Sequence, residues 1–175
     1  MKNKKIMAAA LIILFALTAL FAVMLILTRK TTENIPHGSF LIKSRADDVT
    51  VSMAEFEQFE LKEFTDRHRN SRGTDILQNY GGVELITLLN YYNIPLDGAK
   101  SLTLYASDGF SRVYSLDEVI RDGNVYITTK CEGEPLIEGI TGSINDGGPY
   151  LVIKRSDMYS ENRVKKFNKI IVNYD

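Results

Sequence analysis

Short stretches in which apolar and polar residues alternate run through most of this chain and predict β-strands. Such stretches are residues 40–43, 49–53, 101–107, 110–114, 124–131, 148–154 and 169–174. From residue 59 a further strand is predicted toward a polar run at 65–74, which is interpreted as a loop. Asp108 and Gly109 form the kind of two-residue turn that joins neighbouring strands in a hairpin.

Two serine–glutamate pairs have the spacing of a capping box, in which each side chain satisfies a free backbone N–H at the start of a helix. Ser52 with Glu55 predicts a helix of about two turns from the next residue. Ser115 with Glu118 predicts a short helix behind the hairpin. Apolar residues cover most of a helical surface at 83–92, which predicts a largely buried central helix.

The number and order of the predicted strands and helices indicate the fold class of the domain. Six or more strands with two or three short helices inserted between them indicate an α+β domain built on a mixed sheet. We assign this domain to residues 39–175, and the sequence shows no internal repeat within it.

The amino-terminal part has a different pattern, because residues 6–27 include no charge in 22 positions. As a helix this stretch is about 30 Å long, the thickness of the hydrocarbon core of a bilayer. It is longer than the apolar region of a cleaved signal peptide. Residues 1–30 are therefore predicted to be an uncleaved membrane anchor and 31–38 a short stalk. Three lysines before the span and two cations after it favour a domain outside the cytoplasm.

Charge excludes one class of partner. Residues 1–30 contain five of the 21 basic residues and none of the 22 acidic ones, so the rest of the chain carries a net charge of −6. A nucleic acid is not expected to bind so acidic a domain. The chain has one cysteine, Cys131, which has no partner for an internal disulfide and is predicted to be buried in a strand.

The polar run at 65–74 contains the densest group of cations, Arg67, His68, Arg69 and Arg72. Several guanidinium groups together can grip an anion such as phosphate through bidentate hydrogen bonds. The alternative is a solvated loop with scattered charges, in which His68 between two arginines is a surface residue.

Asp108 and Arg112 flank the predicted hairpin and are candidates for a ligand-binding cleft. The alternative for Asp108 is purely structural, because an Asp-Gly turn itself requires the aspartate. The sequence contains no Ser-His-Asp signature, no glycine-rich phosphate loop and no Cys/His metal motif, so no catalytic residue is assigned.

Four stretches in order carry a resemblance to a known family: YGGVELITLLNYYNI, SLTLYASDGFSRVYSLDEVI, GNVYITTKCEGEPL and GGPYLVIKRSDMYSENRVKKFNKIIV. Together they resemble the second half of the molybdopterin-binding domain of sulfite-oxidase-type oxidoreductases. The resemblance covers residues 80–172, about half of the chain. It implies that fold, and it implies molybdopterin as a cofactor.

In enzymes of that family a cysteine in the first half of the domain gives a thiolate to the molybdenum. Residues 40–79 of this chain contain no cysteine, and Cys131 lies at the far end of the matching region. The first half is also shorter than in the family. The resemblance therefore indicates a shortened relative that has lost its metal ligand.

Three hypotheses follow. The favoured one is an anchored accessory module without molybdenum catalysis, which binds a small anionic ligand or a protein of a membrane redox system. The second is an active molybdopterin-dependent oxidoreductase that holds the pterin phosphate with the cations of the 65–74 run. The third is a structural interaction domain whose contact surface includes Tyr91, Tyr92 and Tyr159.

Overall fold

The computed structural model describes residues 17, 18, 20, 33–69, 72–136, 148–157, 159 and 162–174. The chain divides into two compact units, Met1–Asn34 and Ile35–Asp175. In the first unit, residues 17, 18 and 20 are helical. The rest of the predicted membrane span lies outside the described residues, and within the described part no helix has the length and apolar character to cross a bilayer.

The described part of the second unit contains ten strands and three short helices, numbered here in chain order. The strands are β1 (Ser39–Lys43), β2 (Asp48–Ser52), β3 (Lys62–Arg69), β4 (Asp75–Glu84), β5 (Ser101–Ala106), β6 (Ser111–Ser115), β7 (Val125–Cys131), β8 (Glu134–Pro135), β9 (Leu151–Lys154) and β10 (Phe167–Asn173). The helices are α1 (Met53–Phe56), α2 (Leu85–Tyr91) and α3 (Leu116–Ile120).

The strands form two sheets, so the predicted α+β class is confirmed. One sheet has the order β2-β1-β10-β5-β6, in which β1 and β10 are parallel and the other neighbours antiparallel. The second sheet has the order β3-β4-β7-β8, and β9 also pairs with β7. The last strand of the chain thus lies in the middle of the first sheet, beside the first strand.

One hydrophobic core joins the two sheets and the helices. Phe40 and Leu104 from the first sheet, Ile127 and Val152 from the second, and Leu88 from α2 are fully buried in it. Burial of this apolar surface is the main favourable contribution to folding. The core packs the second sheet against the first on one face. The opposite face carries a smaller apolar cluster that includes Tyr80, Cys131 and Ile153, and buried polar residues lie on that same face.

Both predicted capping boxes are present. The Ser52 N–H donates to the Glu55 carboxylate at 2.8 Å and the Glu55 N–H to the Ser52 hydroxyl at 3.3 Å. Ser115 and Glu118 repeat this arrangement at 2.9 and 3.3 Å. Helix α1 is nevertheless shorter than the two turns predicted, because its backbone continues into tighter turns, such as the bond from the Phe59 N–H to the carbonyl three residues earlier.

The interpretation of residues 65–74 as a loop was wrong for residues 65–69. Strand β3 continues to Arg69, and β4 begins at Asp75, so the two strands pair over eight positions. Along β3, Asp66 and His68 are buried and their neighbours exposed. The part of β3 beyond residue 64 was missed because the residues on its buried face there are polar, so the alternation does not appear as one of apolar and polar residues.

The start of helix α2 also differs from the prediction. The helix begins at Leu85, because Val83 still belongs to β4 and pairs with Ile127 of β7. Gly82 permits this pairing, since a Cβ atom there would lie 2.6 Å from the Ile127 carbonyl oxygen. The two final predicted strands begin elsewhere as well, at Leu151 and Phe167.

Candidate functional site

The β3–β4 hairpin places two polar side chains of each strand on the same buried face, because alternate residues of a strand point the same way. Asp66 and His68 come from β3, and Gln78 and Tyr80 from β4. A fifth polar residue, Arg163, reaches them from the segment before β10. Each of the five is at most 8% exposed, and they are called the buried polar cluster here.

Arg163 connects the members of the buried polar cluster. Its Nη2 atom forms an ion pair with the Asp66 carboxylate, and its Nη1 atom donates to the Tyr80 hydroxyl at 2.7 Å. The Tyr80 hydroxyl donates in turn to Oε1 of Gln78 at 2.7 Å. A guanidinium buried in this way is stabilised only if its partners remain in place.

Two isolated backbone bridges explain how Arg163 reaches β3. Tyr159 pairs with Arg69 at the β3 edge of the second sheet, and Val164 pairs with Val152 of β9. The segment before β10 therefore contacts two edge strands of the same sheet. Arg163 is adjacent to the second of these bridges, and its side chain extends over the polar face.

The environment of the buried polar cluster changes the protonation of its members. Burial, together with the cations Arg163 and Lys165, lowers the pKa of His68 to about 4. Burial raises the pKa of Asp66 above its ordinary value, although Arg163 opposes this rise. Burial also raises the pKa of Tyr80 to about 12. At neutral pH His68 is therefore an uncharged imidazole, with one nitrogen that donates and one that accepts.

Two nitrogen atoms of the buried polar cluster have no hydrogen-bond partner among the described residues. They are Nδ1 of His68 and Nε of Arg163. Buried polar atoms are nearly always hydrogen-bonded, and leaving one without a partner costs about 1–3 kcal/mol. The cluster therefore has hydrogen-bonding capacity that the described part of the chain does not use.

The four cations predicted as an anion grip do not converge. Arg67 and Arg69 lie on the exposed face of β3, where both pair with Asp75 at 2.7 Å. Arg72 is exposed in the turn between β3 and β4. His68 points to the opposite, buried face, so its interpretation as a surface residue was wrong.

The two candidates near the β5–β6 hairpin have separate surroundings. The Asp108 carboxylate accepts a hydrogen bond from the Phe110 N–H at 3.0 Å, and Gly109 has a φ of +92°, so the structural role of the aspartate in the turn is confirmed. The guanidinium of Arg112 lies over the Phe110 ring, 5.1 Å from its centroid. Arg112 also lines a polar surface cavity of about 380 Å³.

Charged and polar groups line this cavity besides Arg112. The Lys154 ammonium lies 3.6 Å from the Asp157 carboxylate, which accepts a hydrogen bond from the Asn162 side chain at 2.7 Å. The Tyr114 hydroxyl donates to the backbone carbonyl of Asn162 at 2.8 Å. The next residue in the chain is the arginine of the buried polar cluster. The two polar regions are thus joined by consecutive residues.

Cys131 is buried, as predicted, at 2% exposure, and it lies opposite Tyr80 in the sheet. Burial raises the pKa of its thiol, and Glu132 adds to the rise. At neutral pH Cys131 is therefore a buried neutral thiol and not a thiolate. Among the described residues no group of three or more histidine, cysteine, aspartate or glutamate side chains could hold a metal ion. The described residues do not fit a thiolate-bound molybdenum.

Sequence reasoning missed most of the buried polar cluster. Asp66 stands two positions before His68, and this period of two within a polar run was the available signal for β3. Arg163 gives no such signal, because it lies 97 positions from Asp66 along the chain. Only the folded sheet brings these residues together.

Comparison with known proteins agrees with the fold. No protein-family model matches the chain, and no curated protein matches it. Among solved structures it is similar to the sulfane dehydrogenase SoxCD from Paracoccus pantotrophus, with a TM-score of 0.64 and 14% sequence identity. The match covers 78% of this chain and 38% of that chain. At this identity the similarity shows the fold alone.

Proposed function

We propose that this chain is a membrane-anchored accessory module outside the cytoplasm that binds a small anionic ligand at the buried polar cluster. In this proposal residues 6–27 cross the bilayer, 31–38 form the stalk, and the domain keeps a sulfite-oxidase-type fold without its molybdenum chemistry. The observation that carries the proposal is the pair of buried nitrogen atoms without a partner, Nδ1 of His68 and Nε of Arg163.

The charge around the buried polar cluster favours an anion. Arg163 and Arg155 act on Asp66, and Arg163 and Lys165 act on His68. Three cations therefore influence a cluster whose own acid is a single carboxylate. Hydrogen bonds from a guanidinium to an oxyanion are about twice as strong as neutral ones.

The position of Cys131 supports the loss of molybdenum catalysis. A sulfite-oxidase-type centre needs a thiolate at a fixed position in the first half of the domain, and the chain's one cysteine lies at the end of β7. What such a cofactor would supply is redox chemistry at the metal. We assign no step of that kind to this chain.

Calorimetric titration of the full-length chain with sulfate, phosphate and nitrate tests the proposal. We expect one of these anions to bind with one site per chain. Arg163→Lys keeps the charge but loses the Nε donor, so it should weaken binding by about tenfold or more. Should this variant not fold, His68→Gln serves as the second probe. Arg67→Gln is the matched control, because Arg67 lies on the exposed face of β3.

The outcome of this titration distinguishes an anion-binding site from a purely structural role of the buried polar cluster. Saturable binding that weakens in the Arg163 or His68 variant, but not in the Arg67 variant, supports an anion site. Absence of binding by all three anions, or equal weakening in the control, would show that the buried polar cluster only fastens the segment before β10 to the second sheet.

An active molybdopterin-dependent oxidoreductase is the second candidate, and the fold similarity to SoxCD is the observation that favours it. In this candidate the pterin phosphate would be bound by the four cations of the 65–74 run, Arg67, His68, Arg69 and Arg72. The ion pairs of two of these arginines with Asp75, and the burial of the histidine on the other face, argue against a shared site.

A further inference from the structure

Three aromatic rings meet at the surface where α1 and α2 end. The Phe59 and Tyr91 ring centroids are 4.8 Å apart at 73°, and those of Tyr91 and Tyr92 are 5.0 Å apart at 84°. Phe59 and Tyr92 are 6.3 Å apart. Tyr91 remains 62% exposed. Phe59, Tyr91 and Tyr92 are called the aromatic surface here.

The aromatic surface rests on a rigid base. Phe59 contacts Phe56, with centroids 6.2 Å apart, and Phe56 is 1% exposed. Phe56 contacts Phe40 of the core in turn, at 6.1 Å. Rings held by the core in this way offer contact area without a large entropic cost on binding, which is a property of interaction hot spots.

The surroundings of the aromatic surface are acidic. Residues 53–60 contain three glutamates and no cation, and neither α1 nor α2 has a basic residue in its last turn. The first cation that follows, Lys62, forms an ion pair with Glu84. Burial raises the pKa of Tyr92, and the Glu55 carboxylate adds to this rise, so the negative charge lies close to the rings.

We propose that the aromatic surface docks a cationic segment of a partner protein, with arginine or lysine side chains over the rings and beside the glutamates. Cations bind the faces of tyrosine and phenylalanine rings, and arginine does so most often. The same glutamates repel an anionic lipid surface, so a protein segment is the occupant that the charges favour. This inference is independent of the anion site proposed above.

Binding of a terminally blocked Arg-Gly-Arg-Gly-Arg peptide to the full-length chain tests the inference. We expect its binding to weaken with added salt and to fall by about fivefold in Tyr91→Ala, since one exposed cation–π contact is removed. Tyr159→Ala is the matched control, because Tyr159 is similarly exposed at 55% and lies outside the aromatic surface.

Two further probes distinguish the occupants. A Glu-Gly-Glu-Gly-Glu peptide should not bind, and anionic phosphatidylglycerol vesicles should bind no better to the wild type than to Tyr91→Ala. Failure of the arginine peptide to bind, an equal loss in Tyr159→Ala, or a Tyr91-dependent preference for the vesicles would overturn the proposal.

Discussion

Replacing His68 by glutamine should remove part of the acid sensitivity of the fold. Glutamine is polar and similar in length, but it does not titrate. In the native chain the imidazole is 8% exposed and lies near Arg163 and Lys165, so it resists protonation. In the unfolded chain it is free to take up a proton. The variant therefore isolates one titration within the buried polar cluster.

The size of this acid effect on the free energy of unfolding follows from the pKa values of His68 in the folded and unfolded chains. The folded-state pKa of His68 is about 4, below the ordinary value of 6.5. As the pH falls below 6.5, the unfolded chain binds a proton here that the folded chain does not, so unfolding becomes easier. This loss of stability is complete once the pH is below 4, and it amounts to at most about 3 kcal/mol. Asp66 acts in the opposite direction, because its raised pKa favours the folded chain at low pH, but both proteins retain it.

Urea unfolding of both full-length proteins across about pH 4 to 8 measures this contribution. The free energy of unfolding of the wild type should fall more than that of His68→Gln, and most of the difference should develop between pH 6.5 and 4. Carboxylates elsewhere affect both proteins equally and cancel in the comparison. Parallel curves would refute the reasoning, since they would mean that His68 titrates alike in the folded and unfolded chains.

Three further predictions concern packing and reactivity. Asp66→Ala leaves a guanidinium buried without its carboxylate, so urea unfolding at neutral pH should show a loss of about 3–5 kcal/mol. Gly82→Ala forces a Cβ atom to within 2.6 Å of the Ile127 carbonyl oxygen, so thermal unfolding should show a cost of about 1–3 kcal/mol. Cys131 should react slowly with iodoacetamide in the folded chain and rapidly in urea, as followed by mass spectrometry.

Matched variants check the first two of these predictions. Asp75→Ala removes a carboxylate whose ion pairs are on the surface, so its cost should be much smaller than that of Asp66→Ala. Gly81→Ala brings a Cβ atom to 2.8 Å from a flexible Glu63 side chain, which can move away, so it should be tolerated better than Gly82→Ala. Equal costs within either pair would contradict the packing argument. Fast labelling of folded Cys131 would contradict its burial.

The parts of the fold that depend on residues close together in the sequence could be predicted from the sequence. The capping boxes at Ser52 and Ser115 and the turn at Asp108 follow from side chains that bond to their own backbone. The α+β class and the burial of Cys131 were also predicted correctly. The caps and the turn depend on local hydrogen bonds, whereas the alternation of apolar and polar residues indicates the strands and the burial of the cysteine.

The buried polar cluster could not be predicted in the same way. Its strand β3 has polar residues on both faces, so the alternation that indicates a strand is absent from the hydrophobic pattern. Arg67 and His68 are neighbours in the sequence, but they point to opposite faces of the sheet. The partner of Asp66 comes from a segment that reaches β3 only because it bridges to two strands of the folded sheet.

The central claim is that this scaffold binds a ligand without molybdenum chemistry. Elemental and pterin analysis of the full-length protein, purified anaerobically from its native membrane, tests it most directly. We predict no stoichiometric molybdenum and no pterin, because residues 40–79 contain no cysteine and the one cysteine is buried in β7 opposite Tyr80. About one equivalent of molybdenum with bound pterin would contradict the claim.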